Sequence, residues 1–222
     1  MKTWAGRRLV VTAGPTREPL DPVRYLSNES SGRMGWALAN AASQAGAHVT
    51  LITGPVLLGD LPHVKTVHVT TAREMLLAVR RESRKACAVI GAAAVADWRP
   101  EHPSLSKLKK EGRPFFTVKF VPNPDILKTL TDTRRGPSPL VVGFALETEN
   151  LLAQAKKKMV QKNLDLIIAN PPASLGGDKT KAWILSRTGE KQSFTGTKTA
   201  LAQKVLKTLL PLVKDKPRGI VQ

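Results

Sequence analysis

Cysteine is nearly absent from this sequence: Cys87 is the one thiol in 222 residues. No disulfide can form within the chain, and a reducing compartment is expected. Aromatic residues are scarce at 5% and form no stacking motif, which argues against a dedicated nucleic-acid platform. Long apolar runs are missing as well. The longest, 86–96, holds eleven residues, contains Gly91 and is mostly alanine, well short of the ~20 needed to cross a bilayer. Residues 1–8 offer neither the apolar stretch nor the small-residue cleavage site of a secretory signal, so a cytoplasmic address is expected. Four scattered histidines, of which only His63 and His68 are close in sequence, lack metal-ligand spacing and argue against zinc. Acidic side chains are outnumbered, 17 against 35 Lys and Arg, for a net charge of +18. That balance favours anionic partners such as nucleotides, phosphorylated substrates or nucleic acid.

What is present, 41% hydrophobic and 23% charged residues, supports one good-sized core and excludes disorder and collagen. A β-branched strand over 8–12 ends in Ala13-Gly14-Pro15, and a long loop is expected up to about Ser31. From 32 to 46 the apolar residues Met34, Ala37, Leu38, Ala41, Ala42 and Ala45 keep three-and-four spacing, the mark of a helix with one buried face, stopped by Gly46 at C′. Strands are expected over 49–53 and 64–70. Thr71 with Glu74 makes a capping box for a helix toward Lys85, and another strand covers 88–91. Such alternation predicts an α/β, Rossmann-like, mainly parallel sheet with helices on both faces.

Residues 100–113 read as a mobile basic surface loop. A strand over 115–120 follows, then a helix with Asn123 as N-cap and Pro124 at N1, a strand over 140–145, a helix over about 150–162 and a strand over 166–169. Beyond Pro171-Pro172 come a Gly176-Gly177 loop and a small antiparallel excursion, with strands over 182–186 and 192–195 about Gly189. An amphipathic helix through Leu201, Val205, Leu209 and Val213 closes the chain before a frayed tail at 214–222. One domain over 1–222 is expected, with no internal repeat.

Several segments could carry chemistry. Ser30-Ser31-Gly32-Arg33-Met34-Gly35 lies at a helix start, where backbone N–H groups and the helix dipole favour a phosphate. The dinucleotide fingerprint is absent, because Gly14 and Gly32 are far apart and the second strand ends in Thr53-Gly54-Pro55 without an acidic residue. Asn28 and Arg24 fill the long loop near the carboxyl end of the first strand, and an Asn amide can donate to oxygens without adding charge. Gly91, Ala92 and Ala93 let a ligand approach the backbone, and Asp97 offers an acceptor for a hydroxyl or a cation. Lys107, Lys109 and Lys110 could reach phosphates if their loop folds over the cleft. Lys158 and Lys162 share one helix face, and Phe144 ends a strand where its ring could meet a base. Cys87 reads as a small buried apolar residue without a basic neighbour.

In this order, Thr12 through Glu18, Asp21 through Gly35, Ala93 through Asp97, Lys107-Leu108-Lys109-Lys110, Asn123-Pro124-Asp125-Ile126, Gly143-Phe144-Ala145 and Lys162-Asn163-Leu164-Asp165 resemble the phosphopantothenate-cysteine ligase family. The resemblance implies a CTP- and Mg2+-dependent enzyme of coenzyme A biosynthesis. It would join 4′-phosphopantothenate to L-cysteine through an acyl-cytidylate, as a homodimer. By resemblance, Asn28 stabilises the acyl-cytidylate, Arg24 supports its loop, and Lys107 acts on the nucleotide and in the cysteine half-reaction. Gly91, Ala92, Ala93, Asp97, Val121, Pro122, Asn123, Pro124, Phe144, Lys158 and Lys162 would line the CTP site. Asn28, Arg24 and Ala93 would also meet the substrate, and Asp97 would contact nucleotide hydroxyls or the Mg2+. Pro122 stands where relatives usually carry a lysine, and Leu146 replaces a small residue. The match weakens after Asn170, and no function is assigned beyond it. A separate flavin-dependent decarboxylase is expected to act next. An NAD(P)-dependent oxidoreductase and a basic nucleic-acid-binding protein are the alternatives from other classes; neither a membrane nor a specific nucleic acid is expected as a partner.

Overall fold

A computed structural model describes residues 3–110, 112, 114–174 and 177–213. Gly176, Arg113 and the tail 214–222, to which the sequence reading gave a loop or frayed end, lie outside the described residues.

The apolar runs expected to form strands assemble into one eight-stranded sheet. Its members are β1 (Arg8–Ala13), β4 (His48–Thr53), β5 (Lys65–His68), β6 (Ala88–Gly91), β9 (Leu140–Leu146), β10 (Leu166–Asn170), β11 (Lys179–Ser186) and β12 (Lys191–Thr197). Their order across the sheet is β12-β11-β10-β9-β6-β1-β4-β5. The six from β5 to β10 run parallel, while β11 and β12 are antiparallel additions at one edge. The parallel strands first step outward from β1 to β4 and β5, then return to its other side with β6. The switch point of this Rossmann-like sheet therefore lies between β1 and β6, outside whose carboxyl ends a crevice opens.

Alternation along β1 divides the core in two. Leu9 and Val11 pack on one face with α1 (Arg33–Gln44) and α5 (Lys198–Leu209). Val10 packs on the other with α2 (Ala72–Glu82), α3 (Ile126–Thr133) and α4 (Leu151–Gln161). Such two-sided burial is why the parallel strands read as unbroken apolar runs. Helix α1 ends as its spacing predicts, with Gly46 at φ 89. The Thr71–Glu74 capping box is formed in both directions. Gly35 is required for packing: a Cβ there would sit 2.5 Å from the Ala13 Cβ and 2.7 Å from the Thr12 carbonyl oxygen, so α1 can press onto the tip of β1.

Three sequence expectations are corrected. The segment expected as a long loop after β1 folds into a ribbon, β2 (Arg17–Asp21) paired antiparallel with β3 (Arg24–Ser27). Asp21 explains its turn. The carboxylate accepts from the backbone N–H groups of Val23 and Arg24 at 2.9 and 2.8 Å and from Arg24 Nε at 2.9 Å. The strand expected over 115–120 is reduced to β8 (Phe120–Pro122), which pairs with β7 (Trp98–Pro100) in a second ribbon. The N-cap of α3 is Asp125, whose side chain accepts from Lys128 N–H, and not Asn123. The Asn123 amide is engaged instead, donating to the Ala96 carbonyl at 2.9 Å. In the basic loop, Ser104 N–H donates to Leu20 O and Leu108 N–H to Asp21 Oδ2, so its described part is tied to the β2–β3 ribbon.

Candidate active site

A cleft of about 590 Å³ opens at the switch point. Its floor is made by the carboxyl ends of the parallel strands: Thr12 of β1, Gly91 of β6, Phe144 and Leu146 of β9, and Asn170 of β10. The chain leaving β6 is fastened to the chain leaving β1. Ala94 N–H donates to Gly14 O at 2.9 Å, while Ala93 N–H and Ala96 N–H donate to the hydroxyls of Thr12 and Thr16 at 3.2 and 2.9 Å. The small residues from Gly91 to Ala94 make this close approach feasible and leave backbone facing the cleft.

Asn28, at the exit of the β2–β3 ribbon, reaches the same place. Its Nδ2 donates to the carbonyls of Ala94 and Val95 at 3.3 and 3.0 Å. Asp97 follows at the rim, exposed, with no side-chain partner among the described residues. Opposite charge is held on α4 and at its C-cap: Lys158 Nζ lies 2.6 Å from Glu147 Oε1, and Lys162 Nζ 2.9 Å from Asp125 Oδ2. Both lysines are thereby positioned at the wall. No side-chain cap closes the N-terminus of α1 at Gly32, which has φ 73, and neither α1 nor α5 has an acidic residue in its first turn. These are the features of an anion-binding cleft.

Of the residues expected here, Asn28, Gly91, Ala92, Ala93, Asp97, Asn123, Pro124, Phe144, Lys158 and Lys162 line the cleft. Arg24, Lys107, Val121 and Pro122 do not. Val121 and Pro122 are engaged in pairing with Arg99 and Trp98 across the β7–β8 ribbon. Arg24 turns to Asp21 and to the Leu108 carbonyl, and the same contacts hold the segment carrying Lys107 beside the β2–β3 ribbon. The Arg24 guanidinium, aided by three backbone N–H donors, holds the Asp21 carboxyl well below the usual carboxylate range against the opposing effect of burial. Cys87 lies away from the cleft, and burial pushes its thiol up, which disfavours the nucleophilic thiolate.

The sequence reading missed residues on both sides. Arg99 donates to the Pro122 carbonyl and, at 3.4 Å, to Asn123 Oδ1, bracing the loop into α3. Ser174, Thr180, Lys198 and Leu201, all beyond the point where the family resemblance weakens, also line the cleft. Antiparallel pairing of β11 on β10 brings them there, a contact without a local sequence signal. Among the described residues no group of three His, Cys, Asp or Glu side chains is arranged to hold a metal ion, and no helix is long and apolar enough to cross a membrane.

Over residues 4–212 the sequence matches the family described as DNA/pantothenate metabolism flavoprotein, C-terminal domain. The coenzyme A biosynthesis bifunctional protein CoaBC of Escherichia coli K12 is 43% identical over 219 residues, 95% of this chain and 53% of that protein. The Vibrio cholerae protein of the same name is 46% identical over 179 residues, 79% of this chain and 44% of that protein. The chain thus spans about half the length of the curated relatives it matches. A crystal structure of the C-terminal domain of coenzyme A biosynthesis bifunctional protein CoaBC superposes with TM-score 0.83 at 35% identity, covering 97% of this chain and 100% of that one.

Proposed function

Because the chain belongs to the DNA/pantothenate metabolism flavoprotein C-terminal domain family, we propose that it ligates 4′-phosphopantothenate to L-cysteine, using CTP. The observation that carries the reading is the convergence of Asn28, the Gly91–Asp97 backbone, Phe144 and two lysines on one cleft. In the first half-reaction a carboxylate oxygen attacks the α-phosphorus of CTP and pyrophosphate leaves. In the second, the cysteine amine attacks the acyl carbon, loses a proton, and CMP departs with the electron pair. Two anions must meet in the first step, so fixed donors and cations aimed at the developing charge are the main source of rate.

The converging groups have distinct roles in that scheme. Asn28 donates to the acyl-cytidylate, exchanging one of its two backbone carbonyls for the incoming anion. Phe144 offers a ring against the base, and the Gly91–Ala93 backbone follows the nucleotide. Lys158 and Lys162 balance phosphate charge. Asp97 suits Mg2+, which commonly keeps most of its waters and takes one or two carboxylates plus substrate phosphates; the ion would neutralise triphosphate charge there. Asp97 could also accept from nucleotide hydroxyls.

Arg24 and Lys107 stand off their own cleft, on the surface of the β2–β3 ribbon, where Tyr25 is 48% exposed and Trp98, on the adjoining β7, 53%. We read that surface as covered by a second copy of the chain, whose cleft would receive Arg24 and Lys107. The enzyme would work in the cytoplasm, followed by a flavin-dependent decarboxylase. Incubation with CTP, phosphopantothenate and cysteine should release pyrophosphate, and a folded sample that releases none overturns the assignment. Asn28→Asp should abolish the activated intermediate while CTP still binds. Lys107→Ala and Asn28→Asp chains, each inactive alone, should regain turnover when mixed; no recovery in mixed dimers would return Lys107 to its own subunit.

A further inference from the structure

The cleft has a wall that the ligase reading above leaves without a role. Helices α1 and α5 both begin there, Arg33 at the first position of one and Lys198 at the first position of the other. Two helix N-termini therefore face the same space with a cation on each, and no acidic residue stands in either first turn. Asp178 joins them: its side chain takes Arg33 Nη1 at 2.8 Å, and its backbone carbonyl accepts the Lys198 N–H at 2.9 Å. The Lys198 ammonium donates to the Gly177 carbonyl. Burial and, next, the positive charge of Arg33 push the Lys198 pKa down, with Asp178 opposing them.

That is an unfavourable place for an ammonium. Desolvation and a like-charge neighbour both disfavour it, and the opposite charge of one incoming anion would offset them. The carboxylate that pairs with Arg33 among the described residues is weakly committed: the Asp178 side chain is 83% exposed and that of Arg33 48%. Exposed pairs of this kind contribute little and are readily exchanged. A doubly charged phosphoryl group offers Arg33 two oxygens in fork geometry and Lys198 a third, which a carboxylate tethered at the rim does not.

Resting on the ligase reading for its choice of ligands, we propose that Arg33 and Lys198 form a phosphoryl-binding subsite, with Asp178 as the counter-ion that the phosphoryl group displaces. Two substrates of the proposed reaction carry the required chemistry. One source is the terminal phosphates of the nucleotide, which leave as pyrophosphate. The other is the phosphomonoester of phosphopantothenate.

Titration calorimetry on the full chain with inorganic pyrophosphate and, separately, with phosphopantothenate tests the proposal. Losing one charge-assisted contact should weaken the relevant ligand about tenfold in Lys198→Ala. Lys198→Arg should restore most of the affinity, and Asp178→Asn should tighten binding about twofold to threefold by removing the competitor. Loss confined to pyrophosphate, with a raised KM for CTP, assigns the terminal phosphates; loss confined to phosphopantothenate, absent with unphosphorylated pantothenate, assigns the monoester. Wild-type affinity for both ligands in a folded Lys198→Ala protein overturns the subsite, and if that variant fails to fold, Lys198→Gln and Arg33→Gln are read by the same criterion. The two readings fail separately. If wild-type protein releases no pyrophosphate but the binding pattern holds, the ligase reading falls and the subsite stands. If ligation proceeds with unchanged constants in Lys198→Ala, the reverse follows.

Discussion

The central sheet and the β2–β3 ribbon are stabilised by opposite means. In the sheet, Val11, Ile90, Val142 and Ile168 are all completely buried, and apolar contact is spread over two faces and five helices. In the ribbon, Tyr25 and Leu26 face solvent, and cohesion is concentrated on Asp21, which gathers donors from Val23, Arg24 and Leu108. Dispersed burial tolerates the loss of any one polar contact, whereas a turn that gathers its donors on the Asp21 carboxylate depends on that group being present and ionised. The candidate site draws on both: a rigid floor from strand tips, and Asn28 delivered by the ribbon.

The largest effect should come from the sheet. Ile168→Ala empties a fully buried position, and denaturant titration should register a loss of about 3 to 4 kcal/mol. A loss under about 1 kcal/mol would mean that the core relaxes into the gap and that its burial is less decisive than the comparison holds. Next is Asp21→Asn, which keeps the shape but removes the charge facing Arg24. Ligation kcat/KM should fall about tenfold, as for a lost charge-assisted contact, with the unfolding midpoint moved far less than by Ile168→Ala. Equal losses of stability in the two variants would erase the distinction between the regions.

The comparison sharpens with pH. Because the folded Asp21 carboxyl titrates well below its ordinary 3.8, its stabilising contribution is fully present above that ordinary value and is lost as pH falls from there through the folded value. Hydrogen exchange should find the ribbon protected at pH 5 and opening below about pH 4, ahead of the sheet, with the pH dependence diminished in Asp21→Asn. Smaller still, Thr71→Ala removes one cap from α2 and should cost about 1 kcal/mol by thermal unfolding. Smallest is Cys87, whose thiol burial raises in pKa: iodoacetamide at neutral pH should modify it more slowly than free cysteine, with no change in ligation until the chain is unfolded.

Legibility followed the same division. Strands buried on both faces announce themselves as apolar runs, and α1 was readable from its spacing and Gly46. The ribbon was not, since Pro19, Pro22 and the charges of Glu18, Asp21 and Arg24 hide any period-two pattern. Its charges act at a distance: the buried Glu18 carboxylate accepts the Ala72 N–H at 2.9 Å and so helps close the start of α2. Asn123 carries a local capping signal that lost to the Ala96 carbonyl, 27 residues away. Lys107, prominent in the sequence, stands away from its own cleft, while Lys198, in a segment to which the sequence assigned no function, lines it.

Spacing, capping residues and apolar period, all written within a dozen neighbouring residues, determined which segments become strands or helices and in what order they alternate. The assembly of the cleft was a tertiary decision. Asn28 meets Val95 across 67 residues and Arg33 meets Asp178 across 145, and no local period encodes either meeting. Both depend on which strand lies beside which, and that order is set by burying two faces of one sheet at once.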